Sequence, residues 1–219
     1  MSFLETILNI VFPAKCLWCR KNGVDLCLKC LSEAPGAERE SADWIFPVYD
    51  YRHPAIKKSL WFFKYKGKTG LARIFSDILY EKMLEELSEL TVMENFKNSL
   101  LVPIPLSPKR YKERGFNQAE LICRELVKIN ALRREADFTL GNNILIKPEE
   151  TKHQAHIKDK QARLINMSGT FMVKNEVLIK NKNIILIDDI ITTGATLTEA
   201  KKILKQKGAK NVIAFTVAH

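Results

Sequence analysis

Short apolar runs alternate along this chain with longer stretches in which apolar residues recur every three to four positions. The short runs are residues 45–51 (IFPVYDY), 99–104 (SLLVPI), 143–147 (NILIK), 183–188 and 211–217 (NVIAFTV), and each has the length of a strand. Pro47 removes a ladder donor and predicts an edge position for the first of them. Helical periodicity predicts helices over 54–65, 71–90, 116–130 and 193–207. In the second, Leu71, Ile74, Phe75, Ile78, Leu79, Met83 and Leu87 form one stripe, and Gly208 caps the last. Residues 2–12 read as a short apolar-faced helix stopped by Pro13. Residues 31–43, with Pro35, Gly36 and Ala37, read as a linker. Residues 149–170 are polar and loop-like, with a short helical pattern around Lys158 to Leu164. Strands alternating with helices predict an α/β fold, a mainly parallel sheet flanked by helices. Such sheets bind ligands beyond the carboxyl ends of their strands.

The segment 184–196, IILIDDIITTGAT, carries the most chemistry. Four apolar residues make a strand buried on both faces. Asp188 and Asp189 follow where it leaves the sheet. Neighbouring carboxylates repel each other unless something cationic or hydroxylic lies against them, and ribose hydroxyls or a divalent metal would serve. Thr192, Thr193, Gly194, Ala195 and Thr196 then lead into a helix. Small residues let backbone amides approach a phosphate, and the helix start adds partial positive charge. The competing reading, a plain strand, turn and capped helix, leaves the paired acids unaccounted for.

Four cysteines, Cys16, Cys19, Cys27 and Cys30, make two CxxC pairs, whereas Cys123 sits in a helical pattern as an apolar core residue. Doubled CxxC spacing suits a tetrahedral thiolate site for structural Zn²⁺, with Asn22-Gly23 turning the chain between the pairs. Disulfides or a redox dithiol are the alternatives. Metal coordination would let a short N-terminal module fold without a core of its own. The expected division is residues 1–35, helix and zinc finger, and 44–219, the α/β domain.

The formal charge of +10 favours polyanionic partners, with a solvated basic surface that binds no ligand as the alternative. From Arg52 to Arg73 the cations Lys57, Lys58, Lys64, Lys66 and Lys68 interleave with Trp61, Phe62, Phe63 and Tyr65, without one acidic residue. Cations that track a backbone and aromatic faces that stack bases fit single-stranded nucleic acid. A basic amphipathic helix with its aromatics turned inward fits equally well. Lys57, Lys58, Trp61, Lys64, Tyr65, Lys66, Lys68 and Arg73 are the candidate DNA contacts. No apolar run is long enough to span a bilayer. Met1 to Phe12 lacks a basic n-region and a cleavage site, so the expected location is cytoplasmic.

The segment 184–196 resembles the phosphoribosyl-pyrophosphate (PRPP) signature of type I phosphoribosyltransferases. That resemblance implies Asp188 and Asp189 on the ribose hydroxyls, as the catalytic acids, and residues 192–196 around the 5-phosphate. Leu101-Val102-Pro103-Ile104-Pro105 with Lys109 and Arg110 resembles the loop that grips pyrophosphate beside Mg²⁺. Residues Thr151 to Asn166 fall where these enzymes carry a closing loop, in which His153, His156, Arg163 and Asn166 lie. The order of parts resembles the ComF family of competence proteins: the doubled CxxC, LVPIPLSPKRYKERGFNQAELI (101–122), TKHQ (151–154) with Arg163 and Asn166, then the acid pair. Within it, Arg114-Gly115-Phe116-Asn117-Gln118 is a family marker, with Gly115 expected to allow close approach and Asn117 near a helix start. The resemblance implies a zinc finger joined to a phosphoribosyltransferase domain. It implies a competence protein that aids uptake of single-stranded DNA at the inner face of the cytoplasmic membrane. PRPP, single-stranded DNA and other competence proteins, such as the uptake helicase or channel, are the partners implied. The competing expectation is a metabolic phosphoribosyltransferase that passes ribose 5-phosphate to an acceptor the sequence does not name, read near Ala214 to His219 or by the appended N-terminal elements.

Overall fold

The computed structural model describes residues 14–38, 42–148 and 171–219. Five segments pair in parallel: β1 (Ile45–Tyr49), β2 (Ser99–Pro103), β3 (Phe138–Leu140), β6 (Asn183–Ile190) and β7 (Asn211–Ala218), in the order β1-β7-β6-β2-β3. A separate antiparallel pair joins β4 (Leu145–Ile146) to β5 (Met172–Val173). The parallel α/β expectation holds. The strand expected over 143–147 shrinks to two residues and leaves the main sheet. Its place at the sheet edge is taken by β3, too short to show a period in the sequence. Pro47 lies on the edge strand, as its missing donor requires.

Helices cover both faces. On one, α2 (Pro54–Tyr65), α3 (Leu71–Glu94) and α5 (Gln118–Arg133) bury Ile56, Leu60, Phe63, Phe75, Leu79 and Ile122 against Ile185, Ile187, Ile213 and Phe215. On the other, α7 (Ala195–Gln206) packs Leu197, Ala200 and Leu204 onto Ile184, Leu186, Val212 and Ala214. Burial on both faces is what the unbroken apolar run of β6 predicts. Pro54 occupies the first turn of α2, where its missing amide does no harm. Among the described residues there are also three shorter helices, α1 (Leu28–Ser32), α4 (Pro108–Arg114) and α6 (Glu176–Ile179). Residues 71–94 continue the expected second helix until Asn95 adopts a left-handed cap.

The cysteine module lies against the same core. Leu17, Leu26 and Leu31 join the apolar cluster that holds Ile56, Leu60 and Leu71. The helix expected over 2–12 and the loop Thr151 to Asn166, with His153, His156, Arg163 and Asn166, lie outside the described residues, as does the short helix around 158–164.

Candidate functional site

Side chains alternate across β6, so Asp189 continues the face of Ile185 and Ile187, and Asp188 that of Ile184 and Leu186. Asp189 is buried and accepts an ion pair from Lys64 of α2 at 2.9 Å. Asp188 is half-buried, and one of its oxygens accepts the Asp189 backbone amide at 2.8 Å. Burial, followed by the charge of Asp189, pushes the Asp188 carboxyl up to about 7, against the pull of that amide, Lys64 and Arg114. The acid pair expected at this strand end is therefore unequal: one carboxylate is held by a cation, and its neighbour is poised near neutrality.

Beyond the pair, Ile191 donates its amide to Ala218 at 2.9 Å, which fixes where the chain turns. Residues Thr192 to Leu197 then wrap a small cup of about 30 Å³ at the first turn of α7. Gly194 sits at φ +74, a left-handed conformation that an L side chain resists. A Cβ there would find room, 3.5 Å from Ile191 Cδ1, so the backbone angle rather than crowding calls for glycine. Thr192, Thr193, Ala195 and Thr196 are exposed around the cup, with the Thr193 hydroxyl 3.4 Å from the Ala195 amide as its acceptor. A shallow rim of hydroxyls and helix-start amides suits a tetrahedral oxyanion.

His219 was expected only as part of a base-reading segment. Its Nε2 lies 3.2 Å from the Thr192 carbonyl oxygen, and its buried Nδ1 has no hydrogen-bond partner among the described residues. No local sequence signal marks it, because the contact joins the last strand to the turn after β6.

The β2 exit runs beside the acid pair, since Ile104 donates its amide to Ile187 at 2.9 Å. Lys109 and Arg110, expected in a loop, stand exposed on α4. Ser107 caps that helix and Pro108 opens it, a pairing that starts a helix wherever the following residues permit. With Lys112, Lys147 and Pro148 they line one open pocket. The Arg114 to Gln118 stretch organises the approach. Gly115 ends α4 at φ +79, and a Cβ there would meet nothing within 4 Å. Its left-handed angle calls for glycine. Asn117 caps α5 by accepting the Ala119 amide at 3.1 Å and donates to the Ile104 carbonyl at 3.0 Å, tying the turn to the β2 exit. Arg114 donates to Gln118 at 2.9 Å and lies 5.2 Å from the centre of the Tyr65 ring.

The basic, aromatic stretch divides between the two readings offered for it. Phe63 is fully buried, in ring contact with Phe75 and Phe116. Trp61 and Tyr65 are exposed with ring centres 6.1 Å apart, and Lys66 lies over Trp61. Lys57 is exposed and Lys58 half-buried. The remaining cations are engaged by acids from elsewhere: Lys64 by Asp189, Lys68 by Asp25 and Arg73 by Asp77, while Arg52 pairs with Asp50. The absence of acids within the stretch hid these partners.

The sulfur atoms of Cys16, Cys19, Cys27 and Cys30 all lie within 4.8 Å of one another, at 3.8 Å for Cys16 and Cys30 and 3.5 Å for Cys19 and Cys27. A tetrahedral thiolate site with metal–sulfur bonds of about 2.3 Å has edges of about 3.8 Å, so the cluster fits a Zn²⁺-sized ion. Burial opposes ionisation of Cys16, yet the amides of Trp18, Cys27 and Cys19 aimed at its sulfur bring the thiol down to about 6. Cys30, buried beside the other sulfurs, is pushed up to about 12. Four thiolates so close would repel one another, and a bound cation would offset that repulsion.

Residues 147–219 match the family model of the phosphoribosyl transferase domain. The chain is 31% identical over 170 residues to the competence protein ComFC of Streptococcus pneumoniae, covering 78% of this chain and 66% of that protein. It is 34% identical over 171 residues to the competence protein ComFC of Bacillus subtilis, covering 78% and 62%. Competence protein F of Haemophilus influenzae is 28% identical over 196 residues, covering 88% and 77%. The matched stretch thus spans just under two thirds of either ComFC protein. Among solved structures, the hypoxanthine phosphoribosyltransferase of Trypanosoma cruzi overlaps 66% of this chain and 65% of its own at 10% identity and a TM-score of 0.39. No described helix is long and apolar enough to cross a membrane.

Proposed function

The chain belongs to the ComF family of competence proteins, and from that premise we propose that it aids uptake of single-stranded DNA, binding PRPP at the end of β6 and the strand on α2. The observation that carries the first half is the unequal acid pair joined to the Thr192–Thr196 cup. Asp188 and Asp189 take the ribose hydroxyls, and residues 192–196 take the 5-phosphate through amides and threonine hydroxyls. Lys109 and Arg110 offset pyrophosphate charge from the neighbouring strand exit. Mg²⁺ carried on the pyrophosphate would supply further neutralisation. The second half rests on Trp61 and Tyr65, large aromatic faces exposed among cations. Bases stack on them while Lys57, Lys58 and Lys66 follow the backbone. The similarity to competence proteins of Streptococcus pneumoniae, Bacillus subtilis and Haemophilus influenzae agrees with this in kind. Zn²⁺ on the four cysteines is structural in this reading.

A second reading, transfer of ribose 5-phosphate to an acceptor, draws support from the near-neutral Asp188 carboxyl. A carboxyl raised toward neutrality can exchange a proton at a reacting centre.

Anisotropy of a fluorescein-labelled 20-mer of thymidine, titrated with protein at several salt concentrations, tests the DNA half. Binding that weakens steadily with salt is expected. Absence of binding at low salt overturns it.

A further inference from the structure

Two cations belong to both proposed surfaces. Lys64 leaves α2 between Trp61 and Tyr65 and ends on Asp189 at 2.9 Å, with 18% of its side chain exposed. Arg114 covers the Tyr65 ring at 5.2 Å, and its charge also acts on the Asp188 carboxyl. The aromatic face and the acid pair are thus joined through the same two side chains, although 123 residues of sequence separate Tyr65 from Asp188.

We propose that Lys64 and Arg114 make the PRPP pocket and the aromatic face of α2 one contiguous surface, on which PRPP and single-stranded nucleic acid bind antagonistically. The proposal rests on the reading of the acid pair as a sugar-phosphate site. Its sign follows from charge. Both ligands are polyanions, and each draws on the same two positive charges. Salt screens charges over about 8 Å at physiological strength, so anions placed on either side of one lysine still repel. A sugar phosphate in the cup holds Lys64 and Arg114 toward the acid pair and leaves the strand fewer cations. By linkage the strand weakens PRPP by the same factor.

The test measures anisotropy of the labelled thymidine 20-mer with and without saturating PRPP and Mg²⁺. It uses wild type, Lys64→Met, Arg114→Met and Lys57→Met, with melting temperatures recorded for each. Wild-type affinity for the 20-mer is expected to fall about tenfold with PRPP, within the usual range of coupling between sites. Lys64→Met and Arg114→Met each bring that factor below about threefold. Lys57→Met weakens the 20-mer but keeps the factor, because Lys57 is exposed on α2 and contacts neither acid. Should removal of Lys64 prevent folding by stranding Asp189, Arg114→Met carries the test alone. An unchanged factor in the folded variants overturns the proposal, as does a 20-mer indifferent to bound PRPP. PRPP that fails to bind wild type by itself overturns the pocket reading too, and calorimetry without nucleic acid distinguishes that outcome.

Discussion

Asp25 of the cysteine module accepts a hydrogen bond from Lys68 at 3.0 Å, fastening the module to the turn between α2 and α3. Beneath it, Cys16, Leu17, Leu26 and Leu31 share an apolar cluster with Ile56, Leu60 and Leu71. Whatever orders the four sulfurs also braces α2, the helix that supplies Lys64 to the acid pair. A metal bound by the four cysteines would thereby be coupled through packing to the acid pair.

Metal removal is therefore expected to affect more than the module. A strong chelator should lower the Tm of the whole chain, and Zn²⁺ should restore it. Elemental analysis should find about one equivalent of Zn²⁺ in the purified protein. A chain that melts identically with and without metal would contradict this coupling.

The two aromatics at neighbouring positions of α2 should separate stability from binding. Phe63→Ala opens a cavity among Phe75 and Phe116 and is expected to cost about 3–5 kcal/mol in denaturant unfolding. Trp61→Ala removes an exposed ring and should change unfolding far less while weakening the thymidine 20-mer. Equal losses of stability from both would place Trp61 in the core and remove it from the DNA surface.

Stability should depend on pH through Asp188. Its folded value of about 7 stands above its ordinary 3.8, so between these values the native state holds a proton that the unfolded chain releases. This carboxyl's contribution is most favourable below about 4 and declines as pH rises toward 7. Asp188→Asn should raise Tm at pH 8 and make little difference at pH 4. The opposite ordering would show that the carboxyl is stabilised as an anion. Ligand hydroxyls donate to the anion, so PRPP affinity should rise over the same interval.

Gly194→Ala tests the cup. At φ +74 alanine is strained by roughly 1–2 kcal/mol, although the space for its methyl is adequate. Loss of stability of that size is expected in denaturant titration, with loss of PRPP affinity as the turn relaxes. Full retention of both would indicate that the loop does not need this conformation.

Much of this was legible in the sequence, and what was not has physical reasons. The unbroken apolar run of β6 and the stripe of α3 marked their elements because burial leaves a period that propensity alone does not. Residues 138–140 carry too few positions to show one, so the outer strand was missed. The acid pair was visible as a pattern, but its asymmetry was not. It comes from the burial of Asp188 and from the pairing of Asp189 with Lys64, more than a hundred residues away in the chain. The partners of Lys64 and Lys68 were hidden for the same reason, since Asp189 and Asp25 reach them only in the folded molecule. The four sulfurs, by contrast, were legible because metal spacing is local.

Isothermal titration of the protein with PRPP and Mg²⁺, repeated on Asp188→Ala with Asp189→Ala, tests the central claim most directly. The account predicts saturable binding to wild type at one site and no measurable heat from the double variant in a folded state. Undiminished affinity in that variant would contradict the assignment of the β6 acids to the sugar.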